Sequence, residues 1–176
     1  QQKSYTVQEQ VVDMQQNMRI AVGRMMREIR MAGFGNVSHV LNLTGGVNGF
    51  TQVVSGKDPG TSPNNNSITL VGGFKQIKDS SGNFIKITST NGYTVTLSAA
   101  TDEFDGAVHG YISIGGVASY KVTNRATNVL TLDGTPKFGV GAYIFKIQAI
   151  TYTVGVSDGK PVLQRDENTG GGLQLL

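Results

Sequence analysis

The densest group of metal-ligating atoms in the chain is Asp102, Glu103 and Asp105, three carboxylates within four residues ahead of Gly106. Oxygen ligands of that kind suit a hard cation such as Ca²⁺, but the run does not follow the alternating ligand order of an EF-hand loop. Calcium held by Asp102, Glu103 and Asp105 therefore stands beside the reading of a solvated acidic turn. The two histidines, His39 and His109, fall in a loop and at a strand entrance, with no second His, Asp or Glu at ligand spacing. Neither is placed as a catalytic base or a metal ligand. No serine stands in a Gly-x-Ser-x-Gly elbow. The pairs Gly45-Gly46, Gly72-Gly73 and Gly115-Gly116 lack the Gly-x-Gly-x-x-Gly order that a nucleotide site requires, so they read as turns and bulges. The chain has no cysteine, which excludes a disulfide scaffold, a thiolate metal site and a cysteine nucleophile. The expectation is a protein with no catalytic residues, no cofactor and no small-molecule substrate.

Composition points the same way. The 176 residues include 24 glycines and no tryptophan, and only 15% are charged, against a usual value of about 25%. Polar turns joining many short strands would use residues of this kind. The net charge of +3 is mild, and the arginines of the first thirty residues are its main concentration, with no aromatic stacking platform beside them. No nucleic-acid partner is expected on that basis.

The element that must organise the rest lies at residues 7–31. Val7, Val11, Met14, Met18, Val22, Met25 and Ile29 recur at intervals of four, three, four, four, three and four, which is two turns of an eleven-residue repeat. That period, about 3.67, nearly matches an unstrained α-helix and draws one straight apolar line along it. Glu9 and Asp13 lie near its start and Arg19, Arg24, Arg27 and Arg30 near its end, where each sign opposes the helix dipole. Gly33 follows as a left-handed stop. The seven stripe residues are expected to be core, packed on a sheet that supplies the other half. Val12, Ile20 and Met26 fall between the stripe and Arg19, Arg27 and Arg30, and these six are the residues expected to meet a partner.

From residue 34 to 63 the sequence is loop-dominated, and such a segment either wraps a sheet or forms a contact surface. Beyond it the pattern is β. A strand begins at 67–71, and residues 83–89 and 93–98 flank Asn91-Gly92, a strong hairpin signal. Segments 111–114, 118–123 and 128–132 continue the meander. In the long segment 141–154, Tyr143, Phe145, Ile147 and Ala149 share one parity while Ile150, Tyr152 and Val154 take the other, so a bulge or bend is expected near Ala149. Asp158-Gly159 then turns 161–165 back. The expected fold class is α+β: a long N-terminal amphipathic helix packed on antiparallel β-sheet. Residues 1–33 and 34–176 belong to one domain.

Gln15-Gln16-Asn17-Met18-Arg19-Ile20-Ala21, followed by Arg24-Met25-Met26-Arg27-Glu28-Ile29-Arg30-Met31-Ala32-Gly33-Phe34, resembles the helix of PilW-type minor pilins and of the J-type pseudopilins of type II secretion. Pieces at 66–70, 120–123, 150–154 and 161–167 resemble strand landmarks of that type IV pilin-like group in the same order. The resemblance implies a non-enzymatic subunit of a pilus priming or tip complex, or of a type II secretion pseudopilus, with other minor pilins or pseudopilins as partners. It also implies an inner-membrane-anchored precursor whose globular part faces the periplasm or cell surface. Because the chain opens at Gln1 with the helical period already under way and closes on Leu173-Gln174-Leu175-Leu176, an apolar helical segment upstream and a continuation downstream are expected. An adhesin-like module that grips glycan, a surface or DNA through the long Gly/Asn loops is the alternative.

Overall fold

The computed structural model describes residues 2–57, 66–104, 110–157 and 159–176, with the side chains of 2–7, 9, 10, 13, 160 and 161 outside that description. The helix expected at 7–31 forms as α1, Gln2–Met31, and stops where Gly33 takes φ +80°. A short α2, Ser38–Leu41, follows. Then come β1 (Val54–Lys57), β2 (Ser67–Gln76), β3 (Ile87–Asn91), β4 (Thr94–Leu97), β5 (Tyr111–Ile114), β6 (Ala118–Ala126), β7 (Val129–Leu132), β8 (Ile144–Ser157), β9 (Lys160–Asp166) and β10 (Gln174–Leu175). All pairings are antiparallel, in the order β1-β2-β8-β5-β6-β7-β4-β3, with β9 on the second half of β8 and β10 on β9.

The expected fold class needs correction. The molecule is predominantly antiparallel β, with ten strands among the described residues, and the helix is not laid over the sheet. Val11, Val22 and Ile29 of the stripe are exposed, Met14 and Met18 leave 57% and 58% of their surface to solvent, and Met25 is half-buried. Val7 lies outside the described side chains. The stripe is therefore not core. Ala21, Glu28 and Ala32 make the line that turns inward, and at about 100° per residue this line lies roughly 60° around the helix from the stripe. Sequence periodicity finds an apolar face but does not say what covers it.

Three apolar clusters hold the sheet. The largest joins β3 to β7 through Ile87, Val95, Leu97, Ile112, Val122 and Leu130, and includes Phe104 and Ile77. The second lies between β8 and the segment after α1, where Val37, Val40, Leu41 and Val47 cover Val71, Ile147 and Ala149. Of the two roles open to residues 34–63, wrapping the sheet is the one seen over the described part. The third, Leu70, Ile150 and Tyr152, lies on the other face, where Met25 and Ala32 of the helix end reach it. This explains the mixed parity of the long strand: the middle of β8 is covered on both faces, so apolar residues need not alternate. The irregularity sits on its neighbour, since Gly72 and Lys75 of β2 face Gln148 and Lys146 of β8, leaving one extra residue in β2.

Candidate functional site

Among the described side chains of α1, Glu28 is the one charged group that is buried, at 8% exposed. Facing it are Tyr152 on β8 and Arg165 on β9, paired across the two strands. Arg165 is 2% exposed and grips Glu28 with two donors, Nε to Oε2 at 3.3 Å and Nη2 to Oε1 at 3.2 Å. The Tyr152 hydroxyl donates to Glu28 Oε2 at 2.6 Å, and Arg165 Nη1 donates to Glu167 Oε1 at 2.7 Å. Gln148 Nε2 donates to Glu167 Oε2 at 3.1 Å, so the network is closed by hydrogen bonds rather than left half-satisfied.

Its electrostatics follow from this geometry. Burial pushes the Tyr152 hydroxyl up, and the hydrogen bond and charge of Glu28 push it further, so the phenol stays protonated well above its ordinary range. Burial also works against the ionised Glu167, but the hydrogen bond and charge of Arg165, with Gln148 and Lys146, outweigh it and hold the carboxyl below its ordinary value. Arg165 is held charged above its ordinary value by Glu167 and Glu28 in spite of its burial. No nucleophile or open metal position adjoins these groups among the described residues. Their joint effect is to fix the angle at which α1 leaves the sheet.

Two backbone contacts complete the joint. Gly33 N donates to the Val71 carbonyl at 2.8 Å and Gly73 N donates to the Phe34 carbonyl at 2.9 Å, so the chain leaving the helix lies along β2. Gly72 is required here, because a Cβ on it would come within 2.5 Å of the Met31 carbonyl oxygen.

Above the joint the apolar stripe stands free. Val11, Met14, Met18, Val22 and Ile29 run along it, with Val12, Ile20 and Met26 on the flank, all exposed. Arg19, Arg27 and Arg30 are exposed beside them. At its lower end the stripe passes through Met25 into an open groove of about 550 Å³ lined by Ile68, Tyr152, Val154 and Leu163, where the sheet face continues beyond the helix. Contiguous exposed apolar surface is characteristic of sites that meet another protein, a membrane or a ligand.

The other sequence candidates separate. Asp102 pairs with Arg125 (Oδ1 to Nη1, 2.8 Å), whereas Glu103 pairs with Lys75 and, at 3.6 Å, with Lys146. Their charges are answered by cations of the chain itself, and Asp105 lies outside the described residues. Among the described residues no group of three His, Asp or Glu side chains is placed to hold a metal. His39 Nε2 lies 2.9 Å from Asp133 Oδ2, and the other oxygen of Asp133 accepts from Lys121 N at 2.9 Å, a turn-holding arrangement. His109 lies outside the described residues.

Sequence reasoning missed the Glu28–Arg165–Tyr152 joint. A lone acid among Arg24, Arg27 and Arg30, and a lone arginine in the apolar run 161–165, were the available signals. No family model, curated protein or solved structure matches the chain.

Proposed function

We propose that this chain is the globular part of a non-enzymatic assembly subunit of the minor pilin or pseudopilin type, PilW-like, which joins other such subunits in a pilus priming or tip complex. The observation that carries this reading is the helix itself: thirty residues long, fixed at one end by a buried ionic joint, and apolar along a side that its own sheet leaves uncovered. A monomer gains nothing from holding Met14, Met18 and Val22 in water, whereas a subunit that buries them against a neighbouring helix gains about 25 cal/mol for each Å² removed from solvent. The resemblance of residues 15–34 to the helix of that group names the kind of neighbour. In this reading the helix runs on toward an inner-membrane anchor, and the sheet faces the periplasm or is carried to the cell surface.

The test is co-purification of the full-length protein with the neighbouring minor pilins or pseudopilins, alone and with Met18→Glu and Val22→Glu combined. The charged pair is expected to leave the melting temperature of residues 1–176 nearly unchanged, because both sites are exposed, and to abolish co-purification. Retained co-purification with the charged pair, or unchanged piliation and secretion after deletion of the gene, overturns the proposal.

A further inference from the structure

The end of β8 away from the helix carries a second feature that no local sequence pattern displays. Lys78 and Phe84 face each other across an isolated antiparallel bridge, and Lys86 faces Tyr143 across another. Directly opposed residues share a face of the sheet, and residues two apart on a strand do as well, so all four side chains stand on one surface. The Lys78 ammonium lies 4.7 Å from the centre of the Phe84 ring and that of Lys86 5.0 Å from the centre of the Tyr143 ring. The two rings meet edge to face with centroids 6.1 Å apart, and they remain 44% and 38% exposed. The nearest acid in sequence, Asp79, is occupied in its own turn, accepting from the amides of Ser81 at 2.9 Å and Asn83 at 2.8 Å. The result is a cation and a ring, repeated once two residues further along the strand, or about 7 Å at ~3.3 Å per residue.

Against the expectation of no nucleic-acid partner drawn from charge and composition, we propose that Lys78, Phe84, Lys86 and Tyr143 form a binding site for single-stranded nucleic acid. A single strand is the polymer that offers an anionic group and a planar face at every repeat, and those are the two things this surface presents as a repeating pair. In the free protein each ammonium rests on its ring. On binding, a base takes the place of the ammonium over the ring and the released ammonium meets the adjoining phosphate, so both halves of each pair are used. Duplex DNA offers phosphates without free base faces, and a neutral glycan leaves the lysines unanswered. The site lies apart from the helix stripe, so it is usable by a subunit held in an assembly through α1.

Fluorescence anisotropy of labelled twelve-residue oligothymidylate with the full 176-residue chain tests this. Binding is expected at 50 mM salt and weaker binding at 200 mM. Lys78→Gln with Lys86→Gln should lower the slope of log affinity against log salt by about 1.4, because each phosphate that a lysine no longer neutralises takes ~0.7 from it. Phe84→Ala with Tyr143→Ala should weaken binding by about tenfold or more, and Tyr143→Phe should restore it. Thermal melting of each variant separates loss of the site from loss of the fold, and the lysine pair, which leaves the rings in place, serves where the aromatic pair does not fold. Any of four results overturns the assignment: no binding at millimolar protein, affinity unmoved by both double variants, equal preference for a duplex of the same length, or tighter binding of heparin lost in the same variants. The last would reassign the surface to an acidic glycan. None of these results bears on co-purification through the helix stripe, so the two proposals fail separately.

Discussion

At the scale of single residues, the fixed angle of the helix comes down to one carboxylate and one guanidinium removed from water together. Such a pair is a poor source of net stability against an apolar substitute, but removing Arg165 takes two charged donors from a buried carboxylate and leaves Glu28 only the Tyr152 hydroxyl and Arg24, whose Nε lies 3.4 Å from Oε1. Arg165→Met is therefore expected to cost about 3 kcal/mol in urea unfolding, the lower end for a broken buried pair, and a cost below about 1 kcal/mol would show that Arg24 and the Tyr152 hydroxyl suffice for Glu28. The same group sets a pH signature. The Tyr152 hydroxyl is held above its ordinary value of 10.0, so the folded state binds its proton more tightly than the unfolded state, and its contribution is complete below pH 10 and lost as pH rises beyond it. Glu167 is held below its ordinary value of 4.5, so its contribution is present above that pH and lost as pH falls through the lowered value. Melting temperature should fall on both sides, and Tyr152→Phe should remove the part of the alkaline fall that belongs to this hydroxyl while leaving the acid side in place. A Tyr152→Phe profile that matches the parent above pH 10 would place the alkaline titration elsewhere.

At the scale of elements, what could be read from sequence was what local pattern determines. The 3.6-residue period and Gly33 marked α1, the alternation of 93–98 around Asn91-Gly92 marked the β3–β4 hairpin, and Tyr111–Ile114 and Val129–Leu132 stand where short apolar runs stood. The packing of α1 was misread because an amphipathic stripe has the same period whether a sheet of its own chain or a neighbour covers it. The parity change in β8 suggests a bulge of that strand, whereas its two faces are covered by different segments and the extra residue belongs to β2. The joint and the lysine–aromatic surface depend on pairs of residues 137 and 57 positions apart, Glu28 with Arg165 and Lys86 with Tyr143, which no window of local sequence contains. Gly72 is where helix and sheet meet most closely. Gly72→Ala should therefore destabilise the protein, by more than the roughly 0.4–1 kcal/mol that the same change gains where the native backbone accepts it, because the Met31 carbonyl must move. An unchanged midpoint in urea would mean that the helix end shifts without cost.

At the scale of the whole molecule, order is expected to fall away along α1. Ahead of Ala21 the described side chains of the helix are all exposed, so only its own hydrogen bonds hold that part. Hydrogen exchange should find amides of residues 8–20 exchanging near the rate of an isolated helix, while Ile112, Ile147 and Ile150, buried in the sheet, exchange only on global unfolding. Strong protection of residues 8–20 in dilute solution would mean that the stripe is covered after all, by a second copy. The place where α1 is fastened has a mechanical meaning. Glu28 is tied to β8 and β9, Gly33 to β2, and β2 and β9 flank β8, so a pull on the amino-terminal end is shared by three adjoining strands from the first moment and cannot peel one edge away. In an optical trap, Arg165→Met should lower the force at which the helix detaches, since it removes the tie to β9. A part built this way behaves less like a flexible tether than like a spar rooted in the hull, suited to passing traction from whatever holds the helix to whatever grips the sheet.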